Sequence, residues 1–262
     1  MIGMLEAACG SHVGKIRENN EDNFYFSGGY LNLDEEDVFG TDLPPVMHSF
    51  TRMIKTGTCM AIFDGMGGGD YGEVASYEAA SSMKTLLTTK DSYETTHDFL
   101  DGISLVMNQK VVNKQRELKS THMGSTLAGL YVYKDYMYSF NLGDSRVYCI
   151  RENQIMQLSK DHTDAAYIKE NNIQRRKPRL TQHLGIDPEM LRLEPYIVKI
   201  EMKRGDRFLI CSDGLTDMLS NEEILRIMID YSGCEACTEA LIKEALEKGG
   251  KDNVTVIVAK IR

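Results

Sequence analysis

Apolar positions recur three and four residues apart over 72–90 and 94–118, a spacing that predicts a pair of amphipathic helices. A second pair is predicted at 220–231 and 235–248. Ser220, followed three residues later by Glu223, carries a capping-box signature that opens the first of these, and Gly249-Gly250 closes the second. Elsewhere the pattern changes to short apolar runs rich in β-branched and aromatic residues, at 59–63, 126–133, 136–142, 146–150, 207–211 and 254–261. Asn23 to Phe26 reads the same way, and Tyr133-Lys134-Asp135-Tyr136 reads as a short hairpin turn. Helices do not alternate with strands through the middle third. The pattern therefore predicts antiparallel sheets covered by helices, not a doubly wound parallel sheet. Residues 28–57 and 161–195 keep neither period and are expected to be long irregular loops, the second carrying Arg175, Arg176, Lys177 and Arg179.

Composition narrows this picture. With 262 residues, 42% hydrophobic and 26% charged, the chain has the apolar content of a globular core, and one domain over 1–262 is expected. No apolar run reaches the length of a membrane span, and the opening residues MIGMLEAACGSHVGK lack the basic start and apolar centre of a secretory leader. A cytoplasmic protein that does not engage a membrane is expected. The cysteines at 9, 59, 149, 211, 234 and 237 are too dispersed for a disulfide framework and are expected as free thiols. A net charge of −9 argues against nucleic-acid binding, which needs a basic face.

Candidate chemistry lies at the strand ends. Apolar runs finish on an aspartate beside a glycine at Asp64-Gly65, Gly143-Asp144 and Asp213-Gly214, and Asp252-Asn253 opens the last run. One such dipeptide is ordinarily a turn. Four of them, converging on one edge, would bring carboxylates together where only cations relieve the repulsion. Oxygen-only ligands select hard ions such as magnesium or manganese, and a backbone carbonyl beside Gly65 can complete the shell. Near the start, Arg17 precedes Glu21 and Asp22, and its guanidinium offers a planar fork suited to phosphate oxygens.

In order along the chain stand Arg17 with Glu21-Asp22, DGMGG at 64–68, GEVAS at 72–76, GST at 124–126 and GDSR at 143–146. They are followed by DH at 161–162, LTQHLG at 180–185, SDGLTD at 212–217 and DNVTV at 252–256. This series resembles the type 2C metal-dependent protein phosphatase (PPM) family, in its bacterial-type form, over nearly the whole chain. The resemblance implies an α+β fold, a four-layer αββα sandwich in which two central antiparallel β-sheets are flanked by pairs of antiparallel helices. It implies a signalling hydrolase that removes phosphate from phosphoserine and phosphothreonine in proteins, using Mn2+ or Mg2+ as two core ions with room for a third. Phosphorylated protein substrates and a cognate serine/threonine kinase are the partners implied, and a monomer is expected.

Carried over position by position, Asp64 would bridge two metals, Gly65 would lend its carbonyl to one, and Asp213 and Asp252 would ligate the other. Glu21 and Asp22 would hold metal-bound waters, Asp144 and Asp217 match a third-metal site, and Arg17 matches the phosphate-binding arginine. Arg17 and Asp64 are thus the catalytic candidates, with Asn253 supporting from beside Asp252. A hydroxide bridging the metals would attack phosphorus in line, without a phosphoenzyme.

The chain departs from the pattern in places. Met66 stands where some members, notably animal ones, have a histidine proposed to protonate the leaving group, which leaves the general acid unassigned; His162 and His183 are read as structural. Gly69 stands where bacterial-type members commonly have histidine. Loop 28–57 is long for such a member and the flap-like segment 163–179 short, so substrate choice is expected to reside there. The basic run at Arg175 to Arg179 would steer phosphorylated substrates or be a solvated loop. Two other readings compete: a phosphatase-like binding module without activity, and a serine hydrolase using Ser145, which lacks a GxSxG elbow. The Cys234–Cys237 pair lacks the further ligands of a zinc site.

Overall fold

A computed structural model describes residues 3–33, 44–66, 71–171, 173 and 177–262. The run Val254–Ile261, buried along almost its whole length, forms β12 near the middle of a six-stranded sheet. Alternate residues of this strand serve two cores: Ile257 and Ala259 face a second sheet, while Val256 and Val258 face helices. The order in this sheet is β3 (Val46–Met53), β1 (Met4–His12), β12, β11 (Arg207–Cys211), β8 (Arg146–Arg151) and β9 (Gln154–Gln157), all pairs antiparallel. The second sheet runs β10 (Tyr196–Glu201), β7 (Tyr136–Leu142), β6 (Leu127–Tyr133), β4 (Cys59–Met66) and β2 (Asp22–Phe26), again antiparallel, and short β5 (Gly124–Ser125) pairs with the end of β4.

The two sheets pack face to face through Phe24, Met60, Ile62, Phe208 and Ile257. Helices α1 (Gly72–Leu86) and α2 (Thr96–Leu118) cover the outer face of the second sheet through Met83, Phe99, Ile103 and Met107. Helices α5 (Asn221–Asp230) and α6 (Cys234–Glu247) cover the first through Ile224, Met228, Leu241 and Ile242. The result is the four-layer αββα sandwich expected from the sequence. Ser220 caps α5 with the reciprocal Glu223 capping box, and the hairpin turn joins β6 to β7 with Lys134 at φ 54.

Several boundaries differ from the sequence reading. The helix expected over 72–90 ends at Leu86 and tightens into a 3-10 turn over Leu87–Ser92. The partner helix begins at Thr96, because the Thr95 hydroxyl accepts from the Asp98 amide at 3.0 Å. Loop 28–57 is not irregular throughout: Val46–Met53 forms edge strand β3, half-polar because only one face is covered. Within 161–195, the short helix α3 (Ala165–Glu170) interrupts the loop. Strand β1 carries small residues, MLEAACGSH, whose apolar signal is weak although His12 to Ala7 are buried. All six cysteines are buried and free. Among the described residues no helix is long and apolar enough to cross a membrane. Gly67, Gly68, Gly69, Arg175 and Arg176 lie outside the described residues, as do parts of loops 28–57 and 163–179.

Candidate metal centre

The strand register brings the aspartates to one edge of the sandwich. Asp22, first residue of β2, is paired directly with Asp64 near the end of β4. Like charges opposed across a strand pair destabilise a sheet unless something compensates them. In the other sheet, Asp213 follows β11 as the first residue of the short helix α4 (Asp213–Thr216), and Asp252 precedes the antiparallel neighbour β12. Asp144 sits in the turn between β7 and β8, made possible by Gly143 at φ 98. Glu21 adjoins Asp22 and lies against the start of α1, where a helix N-terminus favours negative charge.

Burial and mutual repulsion raise the pKa of five of these acids. Asp64 is pushed well up, by burial first and then by Asp213, Asp22, Asp144 and Asp252. Burial also lifts Asp22 to about 7, although hydrogen bonds with Thr255 and Ser212 pull against it, and lifts Asp144 to about 7 with help from Asp213. Asp213 is raised by burial, with Lys177 opposing the shift. Burial raises Glu21 too, against the pull of Arg17.

A polar scaffold holds the edge in place. The Ser212 hydroxyl donates to Asp22 Oδ2 at 2.7 Å and accepts from the Thr255 amide at 3.0 Å. Thr126 Oγ1 accepts from the Asp64 amide at 3.0 Å, and the Thr126 amide donates to the Asp64 carbonyl at 2.8 Å. Asn253 ties the N-terminal loop to β12: its Nδ2 donates to the carbonyls of Val13 at 2.8 Å and Asn19 at 2.9 Å, and its Oδ1 accepts from the Glu21 amide at 2.8 Å. The sequence reading had placed only Asn253 in support. Ser212, Thr126 and Thr255 lie within the motifs SDGLTD, GST and DNVTV, but a hydroxyl at a strand end has many ordinary roles and nothing local assigns it to an acid. Gly65 fits a space that no side chain could share, because a Cβ there would lie 2.2 Å from the Gly72 carbonyl oxygen and 2.4 Å from that of Glu21.

Other singled-out residues have structural partners. Arg146 of GDSR grips Asp161 of DH through Nε and Nη2, the closest contact being 2.6 Å. His162 clamps the Gly143 turn: its amide donates to the Gly143 carbonyl at 2.9 Å and its Nδ1 accepts from the Gly143 amide at 3.2 Å. His183 Nδ1 lies 2.9 Å from the Leu184 carbonyl oxygen, and burial lowers the pKa of both histidines. Ser145 is fully buried and shares a 2.7 Å hydrogen bond with Thr126, so it offers no exposed nucleophile. Burial holds the Cys234 and Cys237 thiols up at about 12 and about 11, and the pair lies within the first turn of α6.

Two acids of the edge face protein cations. Arg17 Nη2 donates to Asp252 Oδ2 at 2.8 Å, and Lys177 Nζ bonds Asp213 and lies 3.0 Å from Asp217 Oδ2. Among the described residues, no three His, Cys, Asp or Glu side chains are drawn around one point closely enough to hold an ion as they stand. The fit to a divalent cation rests on the donors: they are all oxygen, Asp22 is buried and Asp64, Asp144, Asp213 and Asp252 are half-buried, and they repel one another, which is what a hard cation relieves.

The raised carboxyls set a pH window. Asp22 and Asp144 keep their protons to about 7 in the folded chain but release them near 3.8 when unfolded, so the folded state binds more protons across that window and its stability falls as pH rises. With a chelator present, the urea midpoint is expected to fall from about pH 4 to about pH 7. Excess Mn2+ should offset the fall increasingly toward neutral pH, because ligation requires the deprotonated acids. Urea titrations at stepped pH test this, and a midpoint that rises through the window in chelator would contradict it.

Residues 48–248 match the family described as Protein phosphatase 2C. The serine/threonine protein phosphatase PstP of Mycobacterium tuberculosis is 29% identical over 266 residues, covering 98% of this chain and 45% of PstP, so the chain spans about half the length of that relative. The serine/threonine phosphatase Stp of Listeria welshimeri is 28% identical, covering 94% of this chain and 92% of its own. Among solved structures, the PstP catalytic domain in complex with two manganese ions aligns with a TM-score of 0.75 at 28% identity, covering 99% of each chain.

Proposed function

Because the chain belongs to the protein phosphatase 2C family, we propose that it is a serine/threonine protein phosphatase whose residues 1–262 form one catalytic domain. The observation that carries this reading is the directly opposed pair of buried Asp22 and half-buried Asp64, at an edge where Asp144, Asp213 and Asp252 also arrive. Manganese or magnesium ions, two of them as in the PstP complex, would be held by Asp64, Gly65, Asp213 and Asp252, with Glu21 and Asp22 orienting water. When bound, such ions supply the charge that makes water nucleophilic near neutral pH and that offsets the phosphate.

The chain's own groups do the rest. Arg17, about half exposed and paired with Asp252 at the edge, can turn its planar fork onto two phosphoryl oxygens and hold the phosphate for in-line attack. Ser212 keeps the Asp22 carboxylate from rotating, and Thr126 fixes the backbone of Asp64, so the acids are oriented before substrate arrives. Among the described residues Ser145 is buried and burial holds the Cys211 thiol at about 12, so neither offers a nucleophile for a phosphoenzyme, which favours direct hydrolysis. We place this activity in a cytoplasmic monomer that opposes a serine/threonine kinase.

The test is release of inorganic phosphate from phosphoserine and phosphothreonine peptides by the purified chain with Mn2+. Turnover is expected with the ion, is lost with EDTA and returns on adding excess Mn2+. No turnover under conditions where an established phosphatase works, or turnover indifferent to EDTA, would overturn the reading.

A further inference from the structure

Lys177 is a cation that reaches the part of the edge where the family resemblance implies a third ion. Its ammonium bonds the Asp213 carboxylate and lies 3.0 Å from Asp217 Oδ2. These two acids stand one turn apart, the Asp217 amide donating to the Asp213 carbonyl at 2.7 Å, so they present adjacent oxygens to a single positive charge.

The position of Lys177 is built, not incidental. Thirty-six residues separate it from Asp213, so the contact is tertiary. Immediately after it, Pro178 restricts the backbone, and the Arg179 amide donates to Asp164 Oδ1 at 2.7 Å while the Asp164 amide donates to the Arg179 carbonyl at 2.9 Å. A bridge between Thr163 and Leu180 closes the same loop. The lysine is therefore delivered to the acids from a base anchored two and three residues away. Burial works against the charged lysine, yet Asp213 and Asp217 outweigh it and hold its pKa above the usual range.

We propose that Lys177 is a built-in third cation: its ammonium, held between Asp213 and Asp217, takes the place beside Asp217 that a third divalent ion would occupy, so that the chain works with two ions. This rests on the metal-centre reading above. The ammonium sits against Asp213 Oδ2 and Asp217 Oδ2, so it fills the space beside Asp217 that a third divalent ion would need, while Asp213 Oδ1 stays open to a core ion. A third ion binds only by displacing Lys177, and the loop carrying Lys177 to Arg179 is then released from the edge.

Equilibrium dialysis against Mn2+, with bound metal counted per chain, tests this on the wild type and on Lys177→Gln and Lys177→Arg. Lys177 is about half exposed, so both variants are expected to fold, with circular dichroism as the check. The wild type should bind two ions tightly. In Lys177→Gln a third should bind at least about tenfold more tightly than in the wild type, the worth of one charge-assisted pair. Lys177→Arg keeps the charge and should resemble the wild type. Two ions in both the wild type and Lys177→Gln, or three of equal affinity in both, would overturn the built-in cation while leaving the phosphatase reading intact. Absence of any Mn2+ binding by the wild type would overturn both.

Discussion

Replacing Asp64 by asparagine is expected to lower kcat/KM for a phosphopeptide at least about a thousandfold, which corresponds to roughly 4 kcal/mol of transition-state stabilisation. The substitution keeps the side-chain shape and leaves both backbone hydrogen bonds with Thr126 in place, so the strand end should not move. What it removes is a half-buried carboxyl whose ionised form Asp22, Asp144, Asp213 and Asp252 all repel. With chelator present, the variant should therefore melt at a higher temperature than the wild type, since an uncompensated buried carboxylate costs stability. Added Mn2+ should raise its melting temperature less than it raises that of the wild type, because a bound ion stabilises only in proportion to its affinity. A metal-binding acid and a merely structural acid differ in the sign of the first effect. Activity within about tenfold of wild type, together with a full Mn2+ response, would reject the assignment of Asp64.

Gly214→Ala is expected to destabilise the fold by about 3 kcal/mol and to weaken Mn2+ binding at least about tenfold. Gly214 lies in α4, the helix turn that carries Asp213 and precedes Asp217. A Cβ at this position would stand 1.9 Å from the Asn253 carbonyl oxygen, and that oxygen belongs to backbone that cannot swing aside. The glycine here supplies space, not an unusual backbone angle. Adding the methyl group forces α4 away from the start of β12, and so moves Asp213 and Asp217 relative to Asp252 and to the Asn253 clamp on Glu21. Urea denaturation reads the first effect and Mn2+ titration the second. A variant with wild-type values in both would show that the two strand ends are not rigidly coupled.

The apolar runs at 136–142, 207–211 and 254–261 were legible as strands because each is buried on both faces and so carries a dense β-branched and aromatic signal. Edge and small-residue strands were not. Val46–Met53 has one covered face, and Met4–His12 owes its place in the sheet to pairing on both sides by β3 and β12, not to its own composition. The aspartates were legible for a different reason: each ends or opens an apolar run, and strand ends in a sandwich gather along its edges. The hydroxyls of Ser212 and Thr126, which hold those acids, were not, because their partners are 190 and 62 residues away in the chain.

By itself, then, the sequence determined the antiparallel sheets and the two helix pairs, since each depends on local period, while the four layers and the set of acids followed from the resemblance of its ordered motifs to a family. The tertiary structure alone decided which acids face one another, as Asp22 faces Asp64, and which face a protein cation, as Asp252 faces Arg17 and Asp213 faces Lys177. Those pairings are set by strand register and by how the loop around Thr163 and Leu180 is anchored. Neither leaves a mark on the local pattern, because a charge meets its partner across the fold and not along the chain.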